Sequence, residues 1–523
     1  MIKLLISFCR YTAMMGFNTL FFWAAFGLFF ALYWTVLNKP GRPRIRNLSI
    51  LVASYAFYAS WDWRALSIIV ISSMVSFWSA IMMGRSAPNK KWWLCLSAAT
   101  NLGFLAAFKY FDFFIESAEL MLSLFLGETS FARTGWILPV GLSFYTFQSL
   151  GYSIDVYRGR FQPVKDPILF LSFVAFFPQL IAGPIERAKA LIPQFQEIKP
   201  FDRAATKDAI LLILWGLFKK IVIADRLAVF VDTAYANPAL LTAETTCLTI
   251  FFFAIQLYCD FSGYCDIAIG LARLMGFRLS RNFKRPLLAA SFSDLWKRWH
   301  ITIHAWFRDY LFCHLKRDKA RFWVFTNILI IFGISGLWHG ASWNFIGWGL
   351  VNGLFLVTLQ GIVCEPLLRQ KSKITRLAST VIGSIFIYTS LVLFRGQDLG
   401  QSIEILGKLT EWSLPWDFIG NAKRHLSPFG LNGWELLFTG LFVIALFAIE
   451  ILQEVNHPIT FSFRYHKGLQ RWSAAILLFL TITFFGFYDD RTSAHRMELF
   501  ETEAFFEMDE MDELEEAFIY ERF

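Results

Sequence analysis

The sequence has few charged residues and few cysteines for its length. Only 17% of its 523 residues are charged, whereas 56% are hydrophobic, and this composition excludes a disordered chain and a long coiled coil. The seven cysteines show no paired spacing, which excludes a disulfide-stapled miniprotein and a cysteine zinc site. The chain also shows no internal repeat, which argues against the inverted-repeat pattern common in secondary transporters.

Long apolar runs dominate what is present. The 59 phenylalanines and 20 tryptophans fall mostly within runs of about twenty apolar residues, the length that crosses a bilayer as a helix. The runs predict an all-α polytopic membrane protein with roughly 11 transmembrane helices plus re-entrant or interfacial helices. They cover residues 17–37, 47–60, 64–83, 92–110, 135–156, 167–185, 208–233, 247–273, 322–360, 374–394, 436–453 and 470–488.

The charge is distributed unevenly along the chain. The formal net charge is +9, yet residues 489–523 contain 13 acidic and 3 basic side chains, so the rest of the chain is strongly basic. In a membrane protein such an excess marks loops held at the cytoplasmic face, next to anionic lipid. It therefore predicts topology and contact with membrane lipid, and no nucleic-acid partner is expected.

A glycine-rich run around His339 is the strongest functional signal. Five glycines punctuate residues 333–349, inside an apolar stretch, 322–360, that is too long for one ordinary span. The glycines predict two shorter helical pieces, or closely packed helices, that meet near His339. A polar residue at such a depth is a functional candidate, and Asn344 shares the run. The alternative is a histidine that only hydrogen-bonds a neighbouring helix.

Residues 291–310 form a second candidate segment. Their tryptophans alternate with lysine and arginine, a pattern typical of an amphipathic segment at the membrane interface. His300 and His304 are four residues apart, so they are predicted to share a helical face. That spacing can bind a metal, but nothing nearby completes a ligand set, and no metal site is expected. His304 then fits a solvated interfacial histidine.

Two aspartates, Asp260 and Asp266, interrupt a third apolar run. Unpaired charge at that depth is costly, so each should face a cavity, find a basic partner or be protonated. Paired-carboxylate acid/base chemistry is one interpretation. The other is structural capping of a broken helix, in which Asp260 and Ser262 make short-range hydrogen bonds.

Two segments broken by glycine and proline, 139–148 and 177–187, are weaker signals. Both contain polar residues, including Gln148, and could line a passage through the membrane. Lys219 and Lys220 lie inside a further apolar stretch. We expect them to mark its interfacial end, where long basic side chains reach the headgroups.

Four of these segments together resemble the membrane-bound O-acyltransferase family, and most closely its branch that acetylates exported polysaccharides such as alginate. The resemblance spans roughly residues 15–488, with the matching motifs in the same order. The motifs are LPVGLSFYTFQ at 138–148, FPQLIAGP at 177–184, YCDFSGYCDIAIG at 258–270 and LWHGASWNF at 337–345.

The resemblance implies a helical bundle around a central tunnel and two histidines at its active site. His339 matches the family's invariant active-site histidine, and His300 matches a second, upstream histidine. A neutral imidazole at His339 would take the proton from an attacking hydroxyl. His300 would orient the thioester, donate to the oxyanion or assist proton transfer. A covalent acyl-histidine step and direct transfer both stay open. The remaining candidates, as substrate-binding or tunnel-lining residues, are Trp338, Asn344, Asp260, Ser262, Asp266 and Gln148.

The function implied by the resemblance is that of an O-acetyltransferase in the bacterial inner membrane. It would use an acyl thioester donor from the cytoplasmic side, with acetyl-CoA as the expected substrate and no bound cofactor. The acceptor would be an exported polysaccharide such as alginate, reached with periplasmic acetyltransferase partner proteins. The alternatives are an O-acyltransferase for peptidoglycan, cellulose or teichoic acid, a non-enzymatic transporter with a proton path, and a scaffold for a polysaccharide synthase.

The chain departs from the family pattern at both ends. Residues 1–14 precede the position of a family-like start, so they are interpreted as a possible N-terminal extension. The membrane domain is predicted over 15–488. Residues 489–523 form an acidic C-terminal tail, whose compact charge is typical of a tail or docking element.

Overall fold

The computed structural model describes residues 16–85, 88–127, 130–315, 321–358, 373–412, 425–455 and 468–487. Within these ranges the chain forms helices, turns and loops without any strand, which confirms the all-α prediction. The predicted extension 1–14 and the acidic tail 489–523 lie outside the described residues.

The described ranges contain twenty α-helices, numbered α1 to α20 in chain order. Four of them, α1, α4, α10 and α14, continue directly into a π-helical turn. The helices are Leu20–Leu32, Pro43–Asp62, Ala65–Arg85, Lys90–Leu105, Phe111–Leu126, Leu142–Tyr157, Pro167–Val174, Phe177–Leu180, Ala188–Gln196, Arg203–Leu217, Asp225–Ala236, Ala243–Leu274, Phe292–Arg298, Ile301–Trp306, Arg321–His339, Trp343–Phe355, Lys373–Arg395, Leu399–Gly407, Gly433–Val455 and Gly468–Phe485.

Several helices begin at residues whose side chains cap the first turn. Asp166 precedes α7, its carboxylate accepts a hydrogen bond from the Ile168 amide, and Pro167 occupies the first helical position. Ser291 caps α13 in the same way, through the amide of Asp294. Because a helix start leaves amides without intrahelical acceptors, these side chains fix where the short helices begin.

Seven helical spans of the described chain are long and apolar enough to cross a membrane. They confirm a multi-pass membrane protein, whereas the number of roughly 11 spans stays a prediction. The span formed by α12 differs from the other six because most of its apolar window is buried inside the protein. The spans are Leu20–Leu37, Ala65–Arg85, Lys90–Leu126, Ala243–Leu274, Phe322–His339, Leu377–Arg395 and Gly433–Val455.

The chain divides into two compact units. The first contains the described residues up to Ala209 together with Ala268–Ser280, and the second contains Ile210–Ile267 and the described residues from Arg281 onwards. All but one of the candidate site residues belong to the second unit. The exception is Gln148, which lies on α6 of the first unit.

A buried polar seam joins α3, α4 and α6 in the first unit. Asn101 accepts a hydrogen bond from Ser72 (2.7 Å) and donates one to Ser76 (2.9 Å), while the hydroxyls of Ser97 and Ser153 lie 2.8 Å apart. All five side chains are buried. Small polar residues let helix backbones approach and satisfy each other's hydrogen bonds, which stabilises contacts between membrane helices.

In the second unit, α15 and α16 form a tight helical hairpin. Helix α15 ends at His339 and α16 begins at Trp343, which confirms the prediction of two helical pieces that meet near His339. Glycine makes the close approach possible: a β-carbon on Gly349 would collide with the carbonyl oxygen of Phe332 on the facing helix. The hairpin therefore fixes the depth and direction of His339 through backbone packing.

Candidate active site

The imidazole of His339 lies in an aromatic enclosure. His339 is buried at the C-terminal end of α15. Its ring centroid lies 4.8 Å from that of Trp338, 5.3 Å from that of Trp348 on α16 and 5.4 Å from that of Phe394 on α17. Because three helices supply these rings, the enclosure exists only when the helices are packed together, and it keeps the imidazole in apolar surroundings.

His300 lies between α13 and α14 and is equally buried. Its ring contacts Phe261 of α12 at 4.7 Å and Trp338 at 5.7 Å, measured between ring centroids. Its backbone is left-handed, with φ of 42°. The prediction that His300 and His304 share a helical face is wrong, because His300 precedes the first turn of α14.

His304 occupies the middle of α14 and is only half-buried. Its ring packs edge-on against Trp296, with centroids 5.4 Å apart. Across the described ranges no three histidine, cysteine, aspartate or glutamate side chains gather in an arrangement that could hold a metal ion.

The structure brings His300 and His339 to one place. Trp338 contacts both imidazoles. Burial, and then the nearby imidazoles of His339 and His304, hold the pKa of His300 well below its ordinary value. Because a depressed pKa keeps a histidine neutral at physiological pH, His300 is available as a hydrogen-bond donor or proton acceptor without carrying charge.

Asn344 is buried beside this enclosure and holds a loop. Its side-chain amide donates a hydrogen bond to the carbonyl oxygen of Gly396 (2.8 Å) and lies 3.5 Å from the hydroxyl of Ser402. Gly396 directly follows α17, whose Phe394 contacts His339. Asn344 thus ties α16 to the end of α17, and its direct role at a substrate stays a prediction.

Asp260 and Asp266 each have a basic partner, which is one of the three arrangements expected from the sequence for a carboxylate at this depth. Lys219 lies 2.7 Å from Asp266 and donates a hydrogen bond to Ser262 (2.8 Å), and Lys220 lies 2.8 Å from Asp260. The alternative of capping a broken helix is wrong, because α12 runs without a break from Ala243 to Leu274. The carboxylates are held as ion pairs inside the protein.

The two lysines are buried, so the prediction that they mark an interfacial helix end is wrong. Helices α10 and α12 approach closely because two glycines face each other: a β-carbon on Gly216 would lie 2.6 Å from the carbonyl oxygen of Gly263. Lys219 and Lys220 follow within one turn of this contact and reach the acidic side chains of α12. Lys220 also pairs with Asp225, at 2.8 Å.

The sequence analysis missed two glutamates of α19 that connect to this region. Glu450 is buried and accepts a hydrogen bond from the hydroxyl of Tyr258 on α12. Glu454, one turn later, accepts hydrogen bonds from Arg285 (2.6 Å) and Arg298 (3.1 Å). An available signal was the glutamate at position 450, since a carboxylate inside an apolar span requires a partner.

Gln148 is buried in the first unit, where it stabilises an irregular stretch of backbone. Its side-chain amide donates to the carbonyl oxygen of Phe173 (2.6 Å) and its side-chain carbonyl accepts from Gln179 (3.1 Å). These partners lie on α7 and α8, two short helices that replace the single apolar stretch 167–185. Its role in lining a passage stays a prediction.

Comparison with known proteins gives the same family along most of the chain. The model of the membrane-bound O-acyltransferase family matches residues 162–396, a range that contains both histidines and both lysine–aspartate pairs. A probable alginate O-acetylase of Pseudomonas putida is 36% identical over 387 residues, which cover 71% of this chain and 76% of the relative. The corresponding protein of Azotobacter vinelandii is 34% identical over 441 residues, 83% and 84% of the two chains.

A relative with another named acceptor is similar over a comparable length. The peptidoglycan O-acetyltransferase of Helicobacter pylori is 32% identical over 435 residues, which cover 78% of this chain and 81% of the relative. The likeness therefore extends to enzymes named for two different polymers, alginate and peptidoglycan.

Proposed function

Because the chain belongs to the membrane-bound O-acyltransferase family and is therefore a multi-pass membrane O-acyltransferase, we propose that it acetylates an exported polysaccharide such as alginate. The donor in this proposal is a thioester, acetyl-CoA, supplied from the cytoplasm, and the enzyme acts in the bacterial inner membrane. The acetyl group passes to the polymer with the help of periplasmic acetyltransferase proteins. The acetylases named in the comparisons support acetyl as the transferred group.

The observation that carries the proposal is the meeting of His300 and His339 at Trp338. Two buried imidazoles that contact the same tryptophan, in apolar surroundings, provide one group that removes a proton and a second that donates a hydrogen bond. Apolar rings around them exclude bulk water, which would otherwise hydrolyse the thioester.

The proposed reaction needs only these side chains. The neutral imidazole of His339 accepts the hydroxyl proton while the acceptor oxygen attacks the thioester carbonyl carbon, and the carbon–oxygen bond forms. His300 donates a hydrogen bond to the oxyanion that develops. The carbon–sulfur bond then breaks, and the His339 imidazolium returns its proton to the departing thiolate. The products are an acetyl ester and a free thiol, so atoms and charge balance.

The experiment that tests this proposal is turnover by the purified protein in lipid vesicles. Acetyl-CoA is supplied with mannuronate oligosaccharides as acceptor and a periplasmic polysaccharide acetyltransferase as partner, and thiol release and labelled acetyl on the acceptor are measured together. We expect His339→Ala to lower turnover by about 10²–10⁴-fold, the usual contribution of a general base. The matched control is His304→Ala, which removes a half-buried histidine four residues from His300 and is expected to keep most of the turnover.

Each outcome decides a different part of the proposal. Loss of turnover in a folded His339→Ala variant supports His339 as the base. Equal turnover in wild type and His339→Ala refutes that role. Wild-type protein that consumes no acetyl thioester, with acetyl-CoA or with an acetylated phosphopantetheine carrier protein, refutes the acetyl-transfer proposal and makes the transporter the next candidate.

Peptidoglycan is the second candidate acceptor, because the Helicobacter pylori relative matches 78% of the chain, which lies between the 71% and 83% that two alginate acetylases match. The same assay separates the two polymers when muropeptides and mannuronate oligosaccharides compete for labelled acetyl. Label on muropeptides alone would replace alginate by peptidoglycan and leave the chemistry unchanged.

A further inference from the structure

The backbone at His300 adopts an unusual conformation. Among the described residues only His300 and Arg285 have a positive φ without being glycine. A β-carbon makes the left-handed region unfavourable, so such a conformation persists only where surrounding contacts hold it. The direction of the His300 imidazole therefore depends on whatever fixes this turn.

Asn282 supplies three of the hydrogen bonds at this turn. This asparagine is fully buried. Its backbone carbonyl oxygen accepts a hydrogen bond from the amide of Ile301 (2.9 Å), and its side-chain oxygen accepts from the amide (3.1 Å) and the hydroxyl (3.0 Å) of Thr302. Three hydrogen bonds thus converge on the two residues that directly follow His300. The side-chain amide points the other way, toward the sulfur of Cys265 on α12, at 3.5 Å.

A second set of contacts joins the two ends of the loop that runs from Lys284 to Arg298. The amide of Lys284 donates to the carbonyl oxygen of Arg298 (2.9 Å). The carboxylate of Glu454 links the same two loop ends, since it accepts hydrogen bonds from Arg285 and from Arg298. Backbone pairing and an ion pair hold the ends of the loop, and the hydrogen bonds of Asn282 act at the turn itself.

We propose that Asn282 is a positioning residue for His300. Its side-chain oxygen anchors the left-handed turn and thereby aims the imidazole at Trp338 and the active site. The inference rests on the proposed function in one respect, that His300 takes part in the transfer reaction.

The kinetic test compares two substitutions at this position. Asn282→Ala removes the side-chain acceptor for Thr302, and a displacement of the imidazole by about 1 Å is expected to lower kcat about 100-fold, with a smaller change in the KM for acetyl-CoA. Asn282→Asp, with its carboxyl protonated in this buried position, keeps an acceptor oxygen at the same place and is expected to recover part of kcat. The matched control is Asn101→Ala, another fully buried asparagine, located on α4 of the first unit, which should leave kcat unchanged.

A second measurement does not depend on activity. Glycine tolerates a positive φ and alanine does not, so His300→Gly should unfold a few degrees higher than His300→Ala when the left-handed turn is held. In an Asn282→Ala background only the backbone hydrogen bond from Ile301 to residue 282 is left of these three, and this difference should become smaller. The comparison is a double-mutant cycle on the unfolding temperature of the detergent-purified protein.

The two measurements separate failure of the inference from failure of the proposed function. The positioning role is refuted if His300→Gly and His300→Ala differ in unfolding temperature by the same amount with and without Asn282→Ala. It is also refuted if Asn282→Ala keeps wild-type kcat in an active enzyme. If the wild type shows no turnover but the difference in unfolding temperature between His300→Gly and His300→Ala becomes smaller as expected, Asn282 does hold the turn and the proposed function is what fails.

Discussion

Replacing Lys220 with methionine removes the ammonium group that lies between two carboxylates inside the second unit. Lys220 pairs with Asp225 and Asp260, both at 2.8 Å, and is 4% exposed. Methionine keeps a flexible chain of similar length, so the change mainly removes the charge.

The expected loss of stability follows from the burial of the pair. Removing one partner of a buried ion pair leaves an uncompensated charge and costs about 3–5 kcal/mol. Asp260 is 3% exposed, so water solvates its carboxylate poorly once the ammonium group is gone. We therefore expect Lys220→Met to lower the free energy of unfolding by an amount in this range. Adding Asp260→Asn to the same chain should recover more than half of the loss, because it removes the stranded carboxylate.

Thermal unfolding of the detergent-purified protein, followed by tryptophan fluorescence, measures the effect. The matched control is Lys408→Met, since Lys408 pairs with Glu411 at 3.2 Å on the surface and such a pair contributes less than about 1 kcal/mol. If Lys220→Met and Lys408→Met unfold at the same temperature, the argument that the ion pair is buried and required for stability is refuted.

Three further predictions concern the enclosure around the histidines. Gly349→Ala should lower the unfolding temperature and the turnover, because its β-carbon collides with the facing helix. The control is Gly347→Ala, whose β-carbon meets nothing closer than 4.0 Å, and it should leave both quantities unchanged. Trp338→Phe should keep more turnover than Trp338→Ala, since a phenyl ring can still contact both imidazoles, and equal losses would contradict this. Burial and the neighbouring imidazoles hold the pKa of His300 well below its ordinary 6.5. As the pH drops below about 6.5, the unfolded chain therefore binds a proton at His300 that the folded protein does not bind. The free energy of unfolding should then decrease by at most about 1.4 kcal/mol per pH unit, whereas above about pH 6.5 His300 causes no such loss. Unfolding measured from pH 7.5 to 5.5 should show a flatter decline in His300→Asn.

Some structural features could be read directly from local sequence. The apolar runs predicted the helices, and the glycines of 333–349 predicted the hairpin that ends at His339, because both depend on residues close together in the chain. Asp260 and Asp266 indicated a need for basic partners, since an apolar run cannot hold bare carboxylates. The resemblance to a family identified His300 and His339 as candidates without showing that they meet.

The partners themselves were decided by tertiary structure. Lys219 and Lys220 reach the acidic residues of α12 only because α10 packs against it at a glycine pair, and from sequence the lysines were placed at an interface instead. His300 was expected within a helix, but it occupies a left-handed turn fixed by Asn282, eighteen positions earlier. Local periodicity reports the face of one helix and contains no information on which distant segment covers it.

The sequence alone therefore determined that this is a helical membrane protein with two histidines of interest and costly buried charges. The tertiary structure decided that one tryptophan contacts both imidazoles and that each aspartate is paired with a lysine. The physical reason is that helix formation and membrane insertion depend on neighbouring residues. An active site and a buried ion pair depend on groups that only long-range packing brings within a few ångströms.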